Sequence, residues 1–246
     1  MDKKLWIIAL FFIFSVSNIY ARKNDEFIRL QLAYPETIKE VTNSYIGWTD
    51  GKRMLIRHFP IIDYIIASAN NVDLSIGSIS RDDVRRDSYE VFFRKMYGNS
   101  PEEVRTKLVT IYWMPHVFGK KYPLKVTTVN GVDKKLTRIS EALEKLPSSF
   151  HKYVDKPASS YYWRNVAKEE YLSMHSFGIA IDINLDYSNY WLWDYMRSKR
   201  TLTHLTLRNK IPMEIVEIFE KEGFSWGGRW YHYDTMHFEY RPELFV

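Results

Sequence analysis

Ser173-Met174-His175-Ser176-Phe177-Gly178-Ile179-Ala180-Ile181-Asp182-Ile183-Asn184 is the stretch whose reading decides the fold. From Phe177 onward it alternates, with Phe177, Ile179, Ile181 and Ile183 on one side and Gly178, Ala180, Asp182 and Asn184 on the other. A period of two predicts a strand with its branched apolar side turned to a core. Gly178 and Ala180 carry almost no side chain, so the opposite side reads as cleared space ending in the Asp182 carboxylate. An imidazole, His175, stands seven residues upstream. Space beside potential ligands is what a metal site with a substrate cleft requires.

Ordinary strand-end polar residues show the same spacing, so a second stretch carries the argument. At Tyr233-Asp234-Thr235-Met236-His237-Phe238-Glu239 another imidazole follows a carboxylate by three residues, between apolar Met236 and Phe238. His175, Asp182 and His237 would fill three positions of one tetrahedral zinc per chain and leave the fourth for water. The chain holds no cysteine, which excludes thiolate zinc sites and disulfides alike. It also lacks the H-E-x-x-H helix of zincin proteases. His58, His116, His151 and His204 have no partnered spacing and read as structural or surface residues.

The string SMHSFGIAIDIN followed by WGGRWYHYDTMHFE resembles the zinc D-alanyl-D-alanine carboxypeptidases of the VanY type. Relatives of that family include the VanX dipeptidases, the phage L-alanyl-D-glutamate endopeptidases and the Hedgehog signalling domain. The family pattern, S-x-H-x-x-G-x-A-x-D and then D- or E-x-x-H some tens of residues later, is present in order and complete. The clear similarity runs from about Arg164 to Glu239, with a weaker one reaching back to about Val84. The resemblance implies a Hedgehog/D-Ala-D-Ala-peptidase-like zinc site and a peptidoglycan stem peptide as substrate. It places the catalytic acid/base at Asp234 and, at Arg164, a cation facing the substrate carbonyl or oxyanion. Ser173 occupies the family's serine position, from which its hydroxyl would hydrogen-bond a ligand. Arg229 and His232, near the second motif, are candidates for a substrate carboxylate. The alternative is a zinc-bearing binding module without catalysis, as the Hedgehog relative illustrates; retention of Asp234 beside an intact ligand set favours the enzyme.

Outward from the motifs, residues 1–21 read as a signal peptide, with Lys3 and Lys4, an apolar run from Leu5 to about Val16, and Ala21 before charged Arg22. The run is too short to span a bilayer comfortably, so an exported protein without stable membrane insertion is expected, periplasmic or at the cell wall; an uncleaved anchor is the other reading. Beyond the leader, whose Lys3, Lys4 and Asp2 sum to +1, the formal charge of +5 falls to +4. That excess suits an anionic wall, and no basic block is dense enough for nucleic acid. The division expected is an N-terminal mixed extension over 22–107, packed on a peptidase domain over 108–246.

Elsewhere the local signals are of ordinary kinds. Asp50-Gly51 between apolar flanks predicts a hairpin over residues 45–56. Pro60 opens a helix-spaced group at Ile61, Ile62, Ile65 and Ile66, and residues 70–80 read as a loop. Val84, Val91, Phe92, Met96 and Tyr97 predict a helix ended by Gly98, and Ser100-Pro101-Glu102-Glu103 a capping box. LVTIYWM over 108–114 reads as a buried strand, and 124–129 as another closed by Asn130-Gly131. Leu136, Ile139, Leu143 and Leu146 mark a helix stopped by Pro147, and Ile215, Ile218 and Phe219 another between Pro212 and Gly223. The aromatic run from Tyr187 to Trp193 would pack against the core or line a groove. Interspersed helices and hairpin-like turns give an α+β fold, a small antiparallel sheet with flanking helices.

Overall fold

The computed structural model describes residues 28–42, 44–55, 90–167, 170–199, 201 and 204–246. The expected signal peptide, the expected helix over residues 61–66, the expected loop over 70–80 and Val84 lie outside them. The described residues fall into two compact units, 28–55 with 243–246 in one and 90–242 in the other.

In the first unit, residues 28–33 are helical and lead into an antiparallel sheet of β1 (Ile38–Val41), β2 (Tyr45–Trp48) and β3 (Arg53–Leu55), in that order. The hairpin expected at Asp50-Gly51 is present: Trp48 N–H donates to Lys52 O at 2.9 Å and Gly51 N–H to Trp48 O at 3.0 Å. Leu30, Tyr34, Ile38, Ile46 and Trp48 are buried. Tyr34 satisfies its hydroxyl by donating to Glu243 Oε2 at 2.7 Å.

The second unit opens with α1 (Glu90–Tyr97), which buries Phe92, Phe93, Met96 and Tyr97 along one face. Next comes α2 (Pro101–Arg105), capped by Ser100, whose Oγ accepts from Glu103 N–H at 3.3 Å. The Glu103 carboxylate reaches back to Asn99 N–H at 2.8 Å, one residue before the cap, so the two-way box is shifted by a residue. β4 (Leu108–Tyr112), α3 (Pro115–Phe118) and β5 (Pro123–Thr127) follow, and the two strands pair alone as an antiparallel ribbon. The strand expected to be buried over 108–114 spans Leu108–Tyr112 and is partly open to water. A ribbon of two strands leaves a face in water, and Val109 and Tyr112 are exposed while only Trp113 and Met114 are fully enclosed.

α4 (Val132–Glu144) and α5 (Ser148–Val154) lead to the second three-stranded sheet. It is built from β6 (Ala180–Asp182), then α6 (Trp191–Arg197) and α7 (Met213–Lys221), then β7 (Phe224–Trp226) and β8 (His237–Tyr240). The strand order is β6-β8-β7, antiparallel throughout, so the last strand is the central one. Its register sorts the sheet into two chemically different faces. Ile181, Phe238 and Trp226 stand opposite one another in one row, and Phe219 of α7 stacks on Phe238 with ring centroids 3.9 Å apart. Burying aromatic rings of this kind stabilises by about 1.5–3 kcal/mol each. The neighbouring rows are Ala180-Glu239-Ser225 and Asp182-His237, and these side chains share the other face because the strand period is two. One face therefore holds the sheet onto its helix and leaves the other to polar chemistry. The architecture is α+β, and residues 90–107, read from the sequence as part of the extension, lie in the unit that carries this sheet.

The strand expected from Phe177 is shorter than its alternation suggested. Met174 to Phe177 form a 3₁₀ turn, and only Ala180 to Asp182 pair as a strand. Gly178 is not a clearing. It adopts φ +67°, and an added Cβ would stand 2.6 Å from Leu108 Cδ2. It serves a left-handed turn and a close approach to β4, for which glycine has the lowest cost.

Candidate metal centre

Three backbone segments converge to build the site. The first is an extended arm over residues 158–166, laid beside the stretch that carries His175 and Asp182. Ala158 N–H donates to Asp182 O at 2.8 Å, Asp182 N–H to Ser159 O at 2.9 Å, and Tyr162 N–H to His175 O at 3.2 Å. The second segment is the 3₁₀ turn itself, capped by Ser173, whose Oγ accepts from His175 N–H at 3.4 Å. The family-position serine thus supports the backbone of His175. The third segment is the turn entering β8, closed by His237 N–H donating to Asp234 O at 3.3 Å.

His175 and His237 are buried, and Asp182 has a side chain 14% exposed. Their ligand atoms meet at one point. Asp182 Oδ1 lies 3.1 Å from His175 Nε2 and 3.0 Å from His237 Nδ1, and the two nitrogens are 3.2 Å apart. Ligands held 2.0–2.1 Å from a tetrahedral zinc are about 3.3 Å from one another. The triangle fits that dimension, and two imidazoles with one carboxylate are a donor set zinc accepts.

The outer edges of both rings fix which nitrogen is free to bind. His175 Nδ1 faces the Ser160 carbonyl oxygen at 3.0 Å, an atom that only accepts, so the proton sits on Nδ1 and Nε2 presents a lone pair. His237 Nε2 faces Glu239 Oε2 at 2.9 Å, so Nδ1 presents its lone pair to the same centre. Lone pairs of two imidazoles and a carboxylate converging at 3.0–3.2 Å repel unless a cation or a proton stands between them. A proton takes that part in the metal-free protein. Burial opposes a charge on His237, but hydrogen bonds and charge attraction from Asp182 and Glu239 outweigh it and raise its pKa to about 9. Asp182 in turn is held well below the usual carboxylate range: burial opposes its ionisation, and His175 and His237 overcome it.

Asp234 is half-buried at the head of the turn before His237. Its N–H donates to Gly227 O at 3.0 Å, and it bridges to Tyr190 in a short antiparallel contact. The start of α6 and the segment before it clamp this turn further, with Trp191 N–H donating to Tyr233 O at 2.9 Å and Asn189 N–H to Thr235 Oγ1 at 2.7 Å. Below it Tyr233 donates its hydroxyl to buried Asp194, which also takes Arg197 and Arg208; burial first, then Asp194, pushes the phenol pKa up. Gly227 has no room for a side chain here, since a Cβ would lie 2.4 Å from the Asp234 carbonyl oxygen, a backbone atom. Gly227→Ala is therefore expected to displace the Asp234 turn, costing about 1–3 kcal/mol and lowering turnover more than zinc content. Thermal unfolding beside a zinc assay checks this, and an unshifted midpoint would remove the steric argument.

Arg164 lies exposed on the arm; its N–H donates to Ser176 Oγ at 2.9 Å and its carbonyl accepts from Ser173 N–H at 3.0 Å. Its guanidinium donates to the carbonyl of Asn165 at 3.2 Å. Arg229 is held by Glu220, at 2.5 and 2.8 Å, and His232 packs against the Trp191 ring at 4.4 Å. Of the aromatic run, Trp193 is 40% exposed while Tyr187 packs edge to face on Tyr153 of α5. Two contributors were not singled out from sequence: Ser160, whose carbonyl orients His175, and Arg241, which meets Glu239 at 3.2 Å. The alternation His237, Glu239, Arg241 is the one signal that could have found the latter.

Two imidazoles and one carboxylate at this spacing form a group that could hold a metal ion. Residues 167–240 match the family model described as D-alanyl-D-alanine carboxypeptidase. That segment, less than half of the chain, carries all three converging side chains and Asp234 and is similar to that family, as the two motifs suggested. Arg164 lies three residues before the matched segment begins. No curated protein and no solved structure matches the chain.

Proposed function

We propose that the protein is an exported zinc metallopeptidase that hydrolyses a peptide bond in peptidoglycan stem peptides, as a D-Ala-D-Ala carboxypeptidase or an L-Ala-D-Glu endopeptidase. The observation that carries the reading is the triangle of lone pairs at His175 Nε2, Asp182 Oδ1 and His237 Nδ1, with edges of 3.0–3.2 Å. The family match supports the peptidase chemistry and, through it, a cell-wall peptide as substrate.

Zinc held there would polarise the scissile carbonyl and bring the pKa of a water from about 16 to about 7. The chain's own residues do the rest. Asp234 accepts the proton of the attacking water and returns it to the leaving amine as the C–N bond breaks, which yields a carboxylate and a free amine. Arg164, its backbone tied to Ser176 beside His175, turns its guanidinium to the oxyanion as negative charge develops. His175 Nδ1–H donates to the Ser160 carbonyl oxygen and His237 Nε2–H to the Glu239 carboxylate throughout, so their inner nitrogens stay basic.

The test is to incubate zinc-loaded protein, taken from the envelope or medium and beginning at Arg22, with purified muropeptides and weigh the products. Loss of a single D-alanine marks the carboxypeptidase, and cleavage after L-alanine marks the endopeptidase. A chelator should abolish either reaction and added zinc restore it. Muropeptide binding with no product in the zinc-loaded protein would overturn the enzymatic reading.

A further inference from the structure

We propose that Glu239, locked by Arg241, is the positioning residue that commits His237 to bind metal through Nδ1. The inference rests on the metal-site reading above and concerns how this chain enforces it. His237, Glu239 and Arg241 alternate along β8 and its continuation, so all three side chains lie on the polar face of the central strand. Glu239 Oε2 receives His237 Nε2–H at 2.9 Å, while its other oxygen, Oε1, receives Arg241 Nη1 at 3.2 Å. Each carboxylate oxygen thus has a different donor, and the carboxylate cannot rotate away from the imidazole without breaking one contact.

The surroundings are arranged for this carboxylate. Its cross-strand neighbours are Ala180 on one side and Ser225 on the other, two of the smallest side chains, which leave the row's width to the longer glutamate. The guanidinium of Arg241 lies over the Phe93 ring at 5.0 Å, and Arg241 N–H donates to Gly223 O at 2.9 Å. Glu239 and Arg241 are 1% and 0% exposed. A buried carboxylate–guanidinium pair stabilises a fold little more than apolar packing of the same volume. Fold stability alone therefore gives weak reason for this pair. Its contact with the outer nitrogen of a ligand imidazole gives a strong one, because a carboxylate there fixes the tautomer and raises the basicity of the inner nitrogen.

The experiment uses the full chain in two arms. In zinc-loaded wild-type protein, long-range proton–nitrogen correlation should show His237 protonated at Nε2 and metal-shifted at Nδ1, with His175 the reverse. Metal at His237 Nε2 would overturn the proposal without any variant having to fold. In Glu239→Gln, where shape is kept and charge lost, competition with a chromophoric chelator should show zinc bound roughly 10–100-fold more weakly, and the visible spectrum of the cobalt-substituted protein should shift. A folded Glu239→Gln with wild-type zinc affinity and an unchanged cobalt spectrum would leave Glu239 a merely structural residue. Failure of the wild-type protein to bind zinc at all would instead defeat the metal-site reading itself, so the two failures are distinguishable.

Discussion

Asp234→Asn is expected to lower kcat for stem-peptide hydrolysis by about 10²–10⁴-fold, with KM nearly unchanged and zinc still bound at one per chain. Asparagine has the size of aspartate and keeps one acceptor oxygen, but it cannot take a proton from water or carry one to the departing amine. Backbone bonds to Gly227 and His237 and the bridge to Tyr190 help hold the Asp234 turn, and an amide side chain leaves these intact. The lost step is therefore the proton relay, which touches kcat, and not the assembly of the site, which would touch metal content. Steady-state kinetics beside elemental analysis separate these outcomes. Full turnover in the variant would remove Asp234 from the mechanism, and loss of zinc would recast it as a support for the ligands.

The parts of this protein legible from its sequence are those whose signal is local. The helix expected from Leu136, Ile139, Leu143 and Leu146 buries the first three and ends at Glu144, before Leu146, and the one expected from Ile215, Ile218 and Phe219 buries Ile215, Val216 and Phe219 with Ile218 half-buried. Ala180, Ile181 and Asp182 alternate as a strand, and their polar side is the side that carries the chemistry. The same alternation misled from Phe177 to Ile179. Every residue there is buried, so apolar character no longer distinguishes a strand from a 3₁₀ turn, and a turn with left-handed Gly178 is what formed. The reverse error occurred at Leu108 to Tyr112, where apolar residues sit on a two-stranded ribbon partly open to water.

What lay beyond the sequence was pairing at a distance. Glu239 could be placed two residues from His237, but whether it met solvent or the imidazole depended on β8 being the central strand, which is set by β6 and β7 closing on either side. Tyr233 and Asp194 are likewise joined only when α6 docks beside the Asp234 turn. Arg229, a candidate from sequence for a substrate carboxylate, is engaged by Glu220, one helix earlier in the chain. Charges of this sort reveal their roles through partners, and a single sequence does not state partners.

Removing either ligand imidazole should abolish zinc binding, yet the two variants should differ without metal. In the wild-type protein, zinc at 100 times its Kd should add about 2.7 kcal/mol of stability, or roughly 5–11 °C in the unfolding midpoint at 2–4 °C per kcal/mol. His175→Ala and His237→Ala should both lose that rise, along with all hydrolysis. His175→Ala strands the Ser160 carbonyl oxygen and takes one imidazole from Asp182, which keeps His237; leaving one neutral acceptor unpaired costs about 1–3 kcal/mol. His237→Ala does more harm. It takes away the one cationic partner that Asp182 and Glu239 share, so two buried carboxylates are left without the charge between them. Removing one member of a buried charged set costs about 3–5 kcal/mol. The metal-free midpoint of His237→Ala should therefore fall below that of His175→Ala by several degrees. Equal midpoints would mean that no proton bridges the acids when metal is missing, and a zinc-dependent rise in either variant would mean that the ion is held by other residues.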